Sequence, residues 1–211
     1  VLDISFTTED KILHEQGITL SPQSNWEKHE FTFLGSETTS NATLKITYKQ
    51  QAHIVLGVCS LIPSDTFLGM RVDAIACLKE IGAPLLRWPG GNFSGEYRWK
   101  DGLLDRDVRA PLLSFMPIET QPFCGVFDDH EIGIDEFIAL CREVDADPYI
   151  TINLNWDSPE ESAQFLEYCN GSKETRWGSV RASRGYEEPY NVKFWSLGNE
   201  FGHGHMEGLN S

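Results

Sequence analysis

Three short apolar runs, each entered from a helical pattern or a loop and each ending in small polar residues, constrain this chain more than any other feature. Pro84 to Trp88 runs into PGGN, Pro148 to Ile152 into NLN, and Val192 to Leu197 into Gly198-Asn199-Glu200. Between and before them lie helical stripes. Val72, Ile75, Ala76, Leu78 and Ile81 form one, closed by Gly82, and Ile134, Phe137, Ile138, Cys141 and Val144 form another. Ser158-Pro159-Glu160-Glu161 has the form of a capping box with proline at the first helical position. That helix is expected to turn Ala163, Leu166 and Cys169 to one face and to stop near Gly171. Residues 95–132 and 172–190 read as loops. Regular alternation of helix and strand implies an α/β fold with a parallel sheet and crossover connections.

The last run is the most informative. Val192, Phe194, Trp195 and Leu197 suit a strand buried on both faces. A carboxylate at the end of such a strand is costly unless it faces a cleft. In parallel α/β architectures, clefts form at the carboxyl ends of strands. Glu200 is therefore the first candidate for chemistry; the plainer reading is that Asn199 and Glu200 begin a solvated loop. A complete (β/α) barrel has eight strands and about 250 residues. Three strands mean either a small open sheet or part of a barrel.

Residues 1–62 read differently. ISFT, HEFTFL, ATLKITYK and HIVLGVCSLI are short, β-branched and aromatic, and are punctuated by Gly17, Pro22 and Gly35. They predict part of an antiparallel, jelly-roll-like sandwich, too short for the eight strands of a complete one. Trp26 is expected as a core or edge tryptophan rather than a sugar-stacking one. The expected division is a sandwich part over 1–62 and a barrel part over 63–211.

Composition narrows the function. The net charge is -15, from 32 acidic and 17 basic residues. That argues against nucleic acid or an anionic membrane as partner and suits a neutral substrate. No apolar run approaches a membrane span, and no signal or transit peptide is seen. The chain starts in a strand-like run without Met, so it is expected to begin partway into a longer protein. Its five cysteines show no CxxC pair, so neither a disulfide framework nor a zinc site is signalled. Cys77, Cys141 and Cys169 are expected to be core thiols. Asn41, Asn92 and Asn170 head N-x-S/T sequons, a hint of a secreted glycoprotein. Asn92 lies in a glycine-rich turn assigned to the active site and is not expected to carry glycan. His203 and His205 lack a third ligand, so neither metal nor cofactor is expected.

LLRWPGGNFSGEYRWKDG, IDEFIALCREVDADPYITINLN and EPYNVKFWSLGNE, in that order, resemble the α-L-arabinofuranosidases of glycoside hydrolase family fifty-one. The resemblance covers about residues 60–202, and RWPGGNF and LGNE are its most specific parts. The segment before it looks like the carbohydrate-binding-type sandwich inserted in eukaryotic members. The resemblance implies part of a (β/α)8 TIM barrel, with about three strands present, and a retaining glycosidase. Glu200 matches the acid/base glutamate ending the fourth strand. Asn199 matches the asparagine that bonds the sugar 2-hydroxyl. Asn92 matches a sugar-contacting asparagine after the second strand, and Arg87 the arginine that steadies the nucleophile.

The departures matter as much. The nucleophile glutamate is expected beyond Ser211, and the first barrel strand before Val1. The ETN motif reads Glu119-Thr120-Gln121, followed by extra residues that include Phe123, Cys124, Asp128 and Asp129. The glycine-rich turn after the third strand reads Asn155-Trp156-Asp157. There Trp156 either stacks on a sugar or packs into the protein.

The expected function is release of terminal arabinofuranosyl residues from arabinan- or arabinoxylan-type polysaccharides outside the cell, with the nucleophile supplied from elsewhere in the protein. The alternatives are an endo-β-glycanase on the same barrel type, a non-catalytic carbohydrate-binding protein, or a truncated product. Oligomeric state and linkage preference are not legible.

Overall fold

A computed structural model describes residues 1–9, 11–21, 25–36, 38–49, 51, 53–113 and 127–200. The chain divides into two compact units, Val1–Gly57 and Val58–Ser211.

In the first unit, β1 (Leu2–Thr7), β2 (Ile12–Ile18) and β3 (Thr43–Tyr48) form an antiparallel sheet in the order β2-β1-β3. The two-residue period of a strand sends Leu2, Ile4 and Phe6 of the central β1 to one face, where all three are buried. Phe33 covers that face, its ring 4.2 Å from Phe6 and 5.1 Å from His14. The strand expected at ISFT falls within β1, and β3 falls within the one expected at ATLKITYK. Those expected at HEFTFL and HIVLGVCSLI do not form, while ILHEQGI is a strand in spite of Gly17. Strand preference is decided by a ladder partner and a face to bury. Among the described residues HIVLGVCSLI has neither, and Val55, Leu56, Val58 and Leu61 stay exposed. Trp26 is neither core nor edge: it is 74% exposed, off any strand, with its ring against Gly57.

The second unit opens with a small hairpin, β4 (Thr66–Phe67) and β5 (Met70–Arg71), that leads into α1 (Val72–Ile81). Gly82 ends α1 in the left-handed region, φ 61°, and returns its N–H to Leu78 O at 3.1 Å. Next come β6 (Leu85–Trp88), three 3-10 turns, and the pair β7 (Leu112–Leu113) and β8 (Phe127–Asp128). The chain then alternates through α2 (Ile134–Glu143), β9 (Asp147–Ile152), α3 (Pro159–Asn170), α4 (Arg176–Ser183) and β10 (Phe194–Leu197).

β6, β9 and β10 form the expected parallel sheet in the order β10-β9-β6. Arg87 pairs with Tyr149 and Ser196 with Thr151, so the three strands end on the same side of the unit. α2 buries the expected stripe of Ile134, Phe137, Ile138 and Cys141. The side chain of Ser158 accepts from Glu161 N–H at 3.2 Å and caps α3 as the sequence implies. The core joins these elements through Ile150, Phe165, Tyr168, Tyr190, Val192 and the loop residues Tyr97 and Trp99.

Four expectations need correction. α3 turns Phe165, Tyr168 and Cys169 inward and leaves Ala163 and Leu166 exposed, because the larger aromatic rings fill the space against Trp99 and Trp195. Of the α1 stripe only Ile75 is buried, and Cys77 is exposed, unlike Cys141 and Cys169. Residues 172–190 contain a helix, α4, capped by the Thr175 side chain on Gly178 N–H. Its polar composition hides it, because its main inward anchor is Arg181. Finally, β10 is not buried on both faces: Phe194 is 44% and Leu197 72% exposed. It is an edge strand, with β9 its one partner among the described residues.

Candidate active site

The three strand ends are built to bring polar side chains together. Beyond Trp88 the chain turns through Gly90-Gly91, and Gly91 has φ 57°, a conformation that a Cβ disfavours. The 3-10 turn Gly91–Gly95 follows, pinned by Ser94 Oγ donating to Gly91 O at 2.8 Å. Asn92 is in this turn; its side chain lies outside the described residues. Gly95 lies directly against the Asn155 side chain, leaving no room for a Cβ. The loop after β6 is thereby seated on the loop after β9.

Arg87 ties the sheet's two edges across its middle strand. It donates through Nε to Thr151 Oγ1 at 3.0 Å and through Nη2 to Asn199 Oδ1 at 2.9 Å. A guanidinium can only donate, so this contact fixes the orientation of the Asn199 amide. Oδ1 is occupied, which leaves Nδ2 as the amide's donor. Nδ2 is buried and has no acceptor among the described residues. A buried N–H without an acceptor among the described residues thus lies directly before Glu200 in the chain. Glu200 follows immediately, exposed and with φ 54°. Such a conformation costs about 1–3 kcal/mol in a non-glycine residue. Gly198, buried with φ 69°, sets up that turn.

Asn153, at the end of β9, is 4% exposed and organises the next loop. Its Nδ2 donates to Tyr97 O at 3.2 Å, and its Oδ1 accepts from Asn155 and Trp156 N–H at 2.9 and 3.1 Å. Trp156 itself is 67% exposed, so it does not pack into the protein among the described residues. Asp157 is half-buried, and burial first, then the charge of Glu161, pushes its carboxyl up to about 6. Glu161 in turn is held below the usual range chiefly by its 3.0 Å bond to Lys100.

Behind the site, Tyr97 packs edge-on to Trp88 and His130, at 4.4 and 5.3 Å. His130 is buried beside Arg109, and burial first and that guanidinium second lower its pKa, which favours the neutral ring.

The structure thus joins two of the expected residues, Arg87 and Asn199, directly, and Glu200 follows Asn199 in the chain. His203, His205, Glu119, Thr120, Gln121, Phe123 and Cys124 lie outside the described residues. Asp128 caps the backbone N–H of His130 at 2.7 Å. The sequon residue Asn41 is exposed, whereas Asn170 exchanges two hydrogen bonds with the Val192 backbone, 2.9 and 2.8 Å. That exchange commits the Asn170 amide to holding the end of α3 to the approach of β10. Thr151 was missed because its partner Arg87 is 64 residues away. Asn153 had a local signal, an asparagine two residues before Asn155 at a strand end, where side chains bond the following backbone.

The chain is similar to known proteins of one family. The sequence profile described as the alpha-L-arabinofuranosidase 1 domain matches residues 77–207. Alpha-L-arabinofuranosidase C of Emericella nidulans is 40% identical over 134 residues, 63% of this chain and 25% of that protein. The intracellular exo-alpha-(1->5)-L-arabinofuranosidase 1 of Bacillus subtilis is 34% identical over 134 residues, with the same coverage. The chain spans about a quarter of the length of these curated relatives. Among solved structures, the α-L-arabinofuranosidase of Thermotoga maritima in complex with arabinose superposes with a TM-score of 0.59 at 39% identity, over 68% of this chain and 28% of that one. A second arabinose-bound α-L-arabinofuranosidase covers 94% of this chain and 35% of that one, with a TM-score of 0.60. At 15% identity it bears on the fold alone. With a family profile matched over more than half of its length, and its strand ends within that match, this chain belongs to the alpha-L-arabinofuranosidase 1 domain family.

Proposed function

We propose that this chain is the acid/base portion of a retaining α-L-arabinofuranosidase whose other carboxylate lies elsewhere in the full-length protein. The observation that carries the reading is the Arg87–Asn199 hydrogen bond, which leaves an oriented, buried N–H beside Glu200. In this reading β6, β9 and β10 are three successive strands of a (β/α)8 barrel, and β1 to β3 are part of a sandwich domain. Its substrates are arabinose-containing polysaccharides or oligosaccharides. Exposure of the Asn41 sequon supports an extracellular setting, although the Bacillus relative is named as intracellular.

Retaining hydrolysis uses two carboxyl groups about 5–5.5 Å apart. The nucleophile attacks the anomeric carbon while Glu200 gives its proton to the leaving oxygen. Glu200 then takes a proton from the water that releases the sugar. Asn199 Nδ2 donates to the 2-hydroxyl oxygen, a bond that strengthens as positive charge develops on the ring. Asn92, on the turn after β6, contacts the same sugar. Arg87 acts by holding Asn199 and by placing positive charge beside the nucleophile.

The test is Glu200→Ala in the full-length enzyme. Substrates with poor leaving groups should lose most of their rate, while a dinitrophenyl arabinofuranoside should still form the glycosyl-enzyme. Azide should then restore turnover and yield a glycosyl azide of retained configuration. Equal losses for good and poor leaving groups, without azide rescue, would remove Glu200 from the acid/base role.

A further inference from the structure

Two exposed tryptophans invite different readings. Trp26 lies on an irregular segment with its ring against Gly57. Trp156 stands at the carboxyl end of β9, the middle strand between Arg87 on β6 and Asn199 after β10. Its ring meets no other ring among the described residues, yet the loop that carries it is held from every side. Asn153, itself buried, grips the Trp156 and Asn155 N–H groups with one oxygen and the Tyr97 carbonyl with its nitrogen. Asn155 is pressed against Gly95. Two residues further on, Ser158 caps α3. The hydrogen bonds fix the backbone while the indole stays in water. With the backbone already held, binding has only the indole left to order, which lowers the cost of using it as a contact surface.

We propose that Trp156 is a stacking platform for a sugar ring of the substrate other than the one whose bond is broken. The C–H face of a furanose or pyranose ring would lie against the indole. This rests on the glycosidase reading above, and it makes Trp156 a specificity-determining residue for oligomeric over monomeric substrates. The ring in question is either an arabinofuranose of an arabinan or a xylopyranose of an arabinoxylan.

The test compares wild type, Trp156→Ala and Trp156→Phe in the full-length enzyme. Three substrates are used: an aryl arabinofuranoside, a linear 1,5-arabino-oligosaccharide and an arabinoxylo-oligosaccharide. On one or both oligosaccharides Trp156→Ala should lose kcat/KM by about fivefold to tenfold more than on the aryl glycoside. The loss should lie in KM, with Trp156→Phe intermediate. The oligosaccharide that shows it identifies the ring that stacks. Equal losses on all three substrates, or no loss on any, would overturn the proposal while leaving the arabinofuranosidase reading intact. If wild type cleaves none of the three, that reading falls. The platform is then judged by fluorotryptophan NMR of wild type titrated with the same oligosaccharides. A shift of the resonance that is absent from Trp156→Phe supports it, and no shift overturns it.

Discussion

Arg181 and Arg87 both bridge elements of the α/β unit, and they do so in opposite ways. Arg181 is fully buried and spends its guanidinium on three carbonyls: Tyr168 at 2.6 Å, Tyr186 at 3.0 Å and Glu187 at 3.1 Å. Arg109 is similar, dividing its donors among the Leu104, His130 and Glu131 carbonyls and the Glu136 carboxylate. Both close loops onto helices. Arg87 is exposed and bonds two side chains, Thr151 and Asn199. Its bonds run between side chains at the strand ends rather than to backbone carbonyls. A buried arginine bonded to backbone carbonyls holds the fold, whereas an exposed arginine that orients a side-chain amide serves the site.

The sharpest way to break this contrast is to remove Arg181. Arg181→Ala strands the buried Tyr168 carbonyl and removes the anchor of two part-buried ones, so the chain should lose about 3 kcal/mol of stability. The measurement is the urea midpoint followed by circular dichroism. A loss no larger than that of an exposed residue would contradict the assigned role.

Arg87→Ala should behave in the reverse sense. Stability should change by about 1 kcal/mol or less, whereas kcat of the full-length enzyme should fall by about 100-fold, as for loss of an oriented donor. Combining it with Asn199→Ala should add little further loss, because both act through one amide. Fully multiplicative losses would uncouple the two residues.

A smaller effect separates network from site. Asp135 is buried and accepts from Tyr168 and Tyr190 at 2.7 and 2.6 Å while pairing with Arg184 at 2.8 Å. Tyr190→Phe should cost about 1 kcal/mol in the same urea titration, since Asp135 keeps two partners. The expected change in kcat is none.

The last effect concerns pH. The Asp157 carboxyl titrates near 6 in the fold, above its ordinary value, for the reason of burial beside Glu161. The folded chain therefore binds the proton more tightly than the unfolded chain, and stability falls as pH rises from about 4 to about 6. Asp157→Asn should flatten that part of the curve of melting temperature against pH and raise the melting point at pH 7. An unchanged curve would mean that Asp157 is solvated.

How far the sequence could be read follows from the same division. β6, β9, α2 and the cap of α3 were legible because local period and capping chemistry define them. The location of Asn199 and Glu200 at a parallel strand end was legible for the same reason. Side-chain pairings such as Arg87–Thr151 and Arg181–Tyr168 depend on contacts far apart in the chain, and no local pattern encodes them. α4 was missed because a helix anchored by an arginine shows no apolar stripe. HIVLGVCSLI was misread because β propensity without a partner strand does not make a strand.

The central claim is that Arg87 turns the Asn199 amide so that its N–H meets the 2-hydroxyl in the transition state. The most direct measurement is the ratio of kcat on an aryl arabinofuranoside to kcat on its 2-deoxy analogue, in wild type and in Asn199→Ala of the full-length enzyme. The ratio should be about 100-fold or more larger in wild type than in the variant. The same ratio in both proteins would contradict the claim.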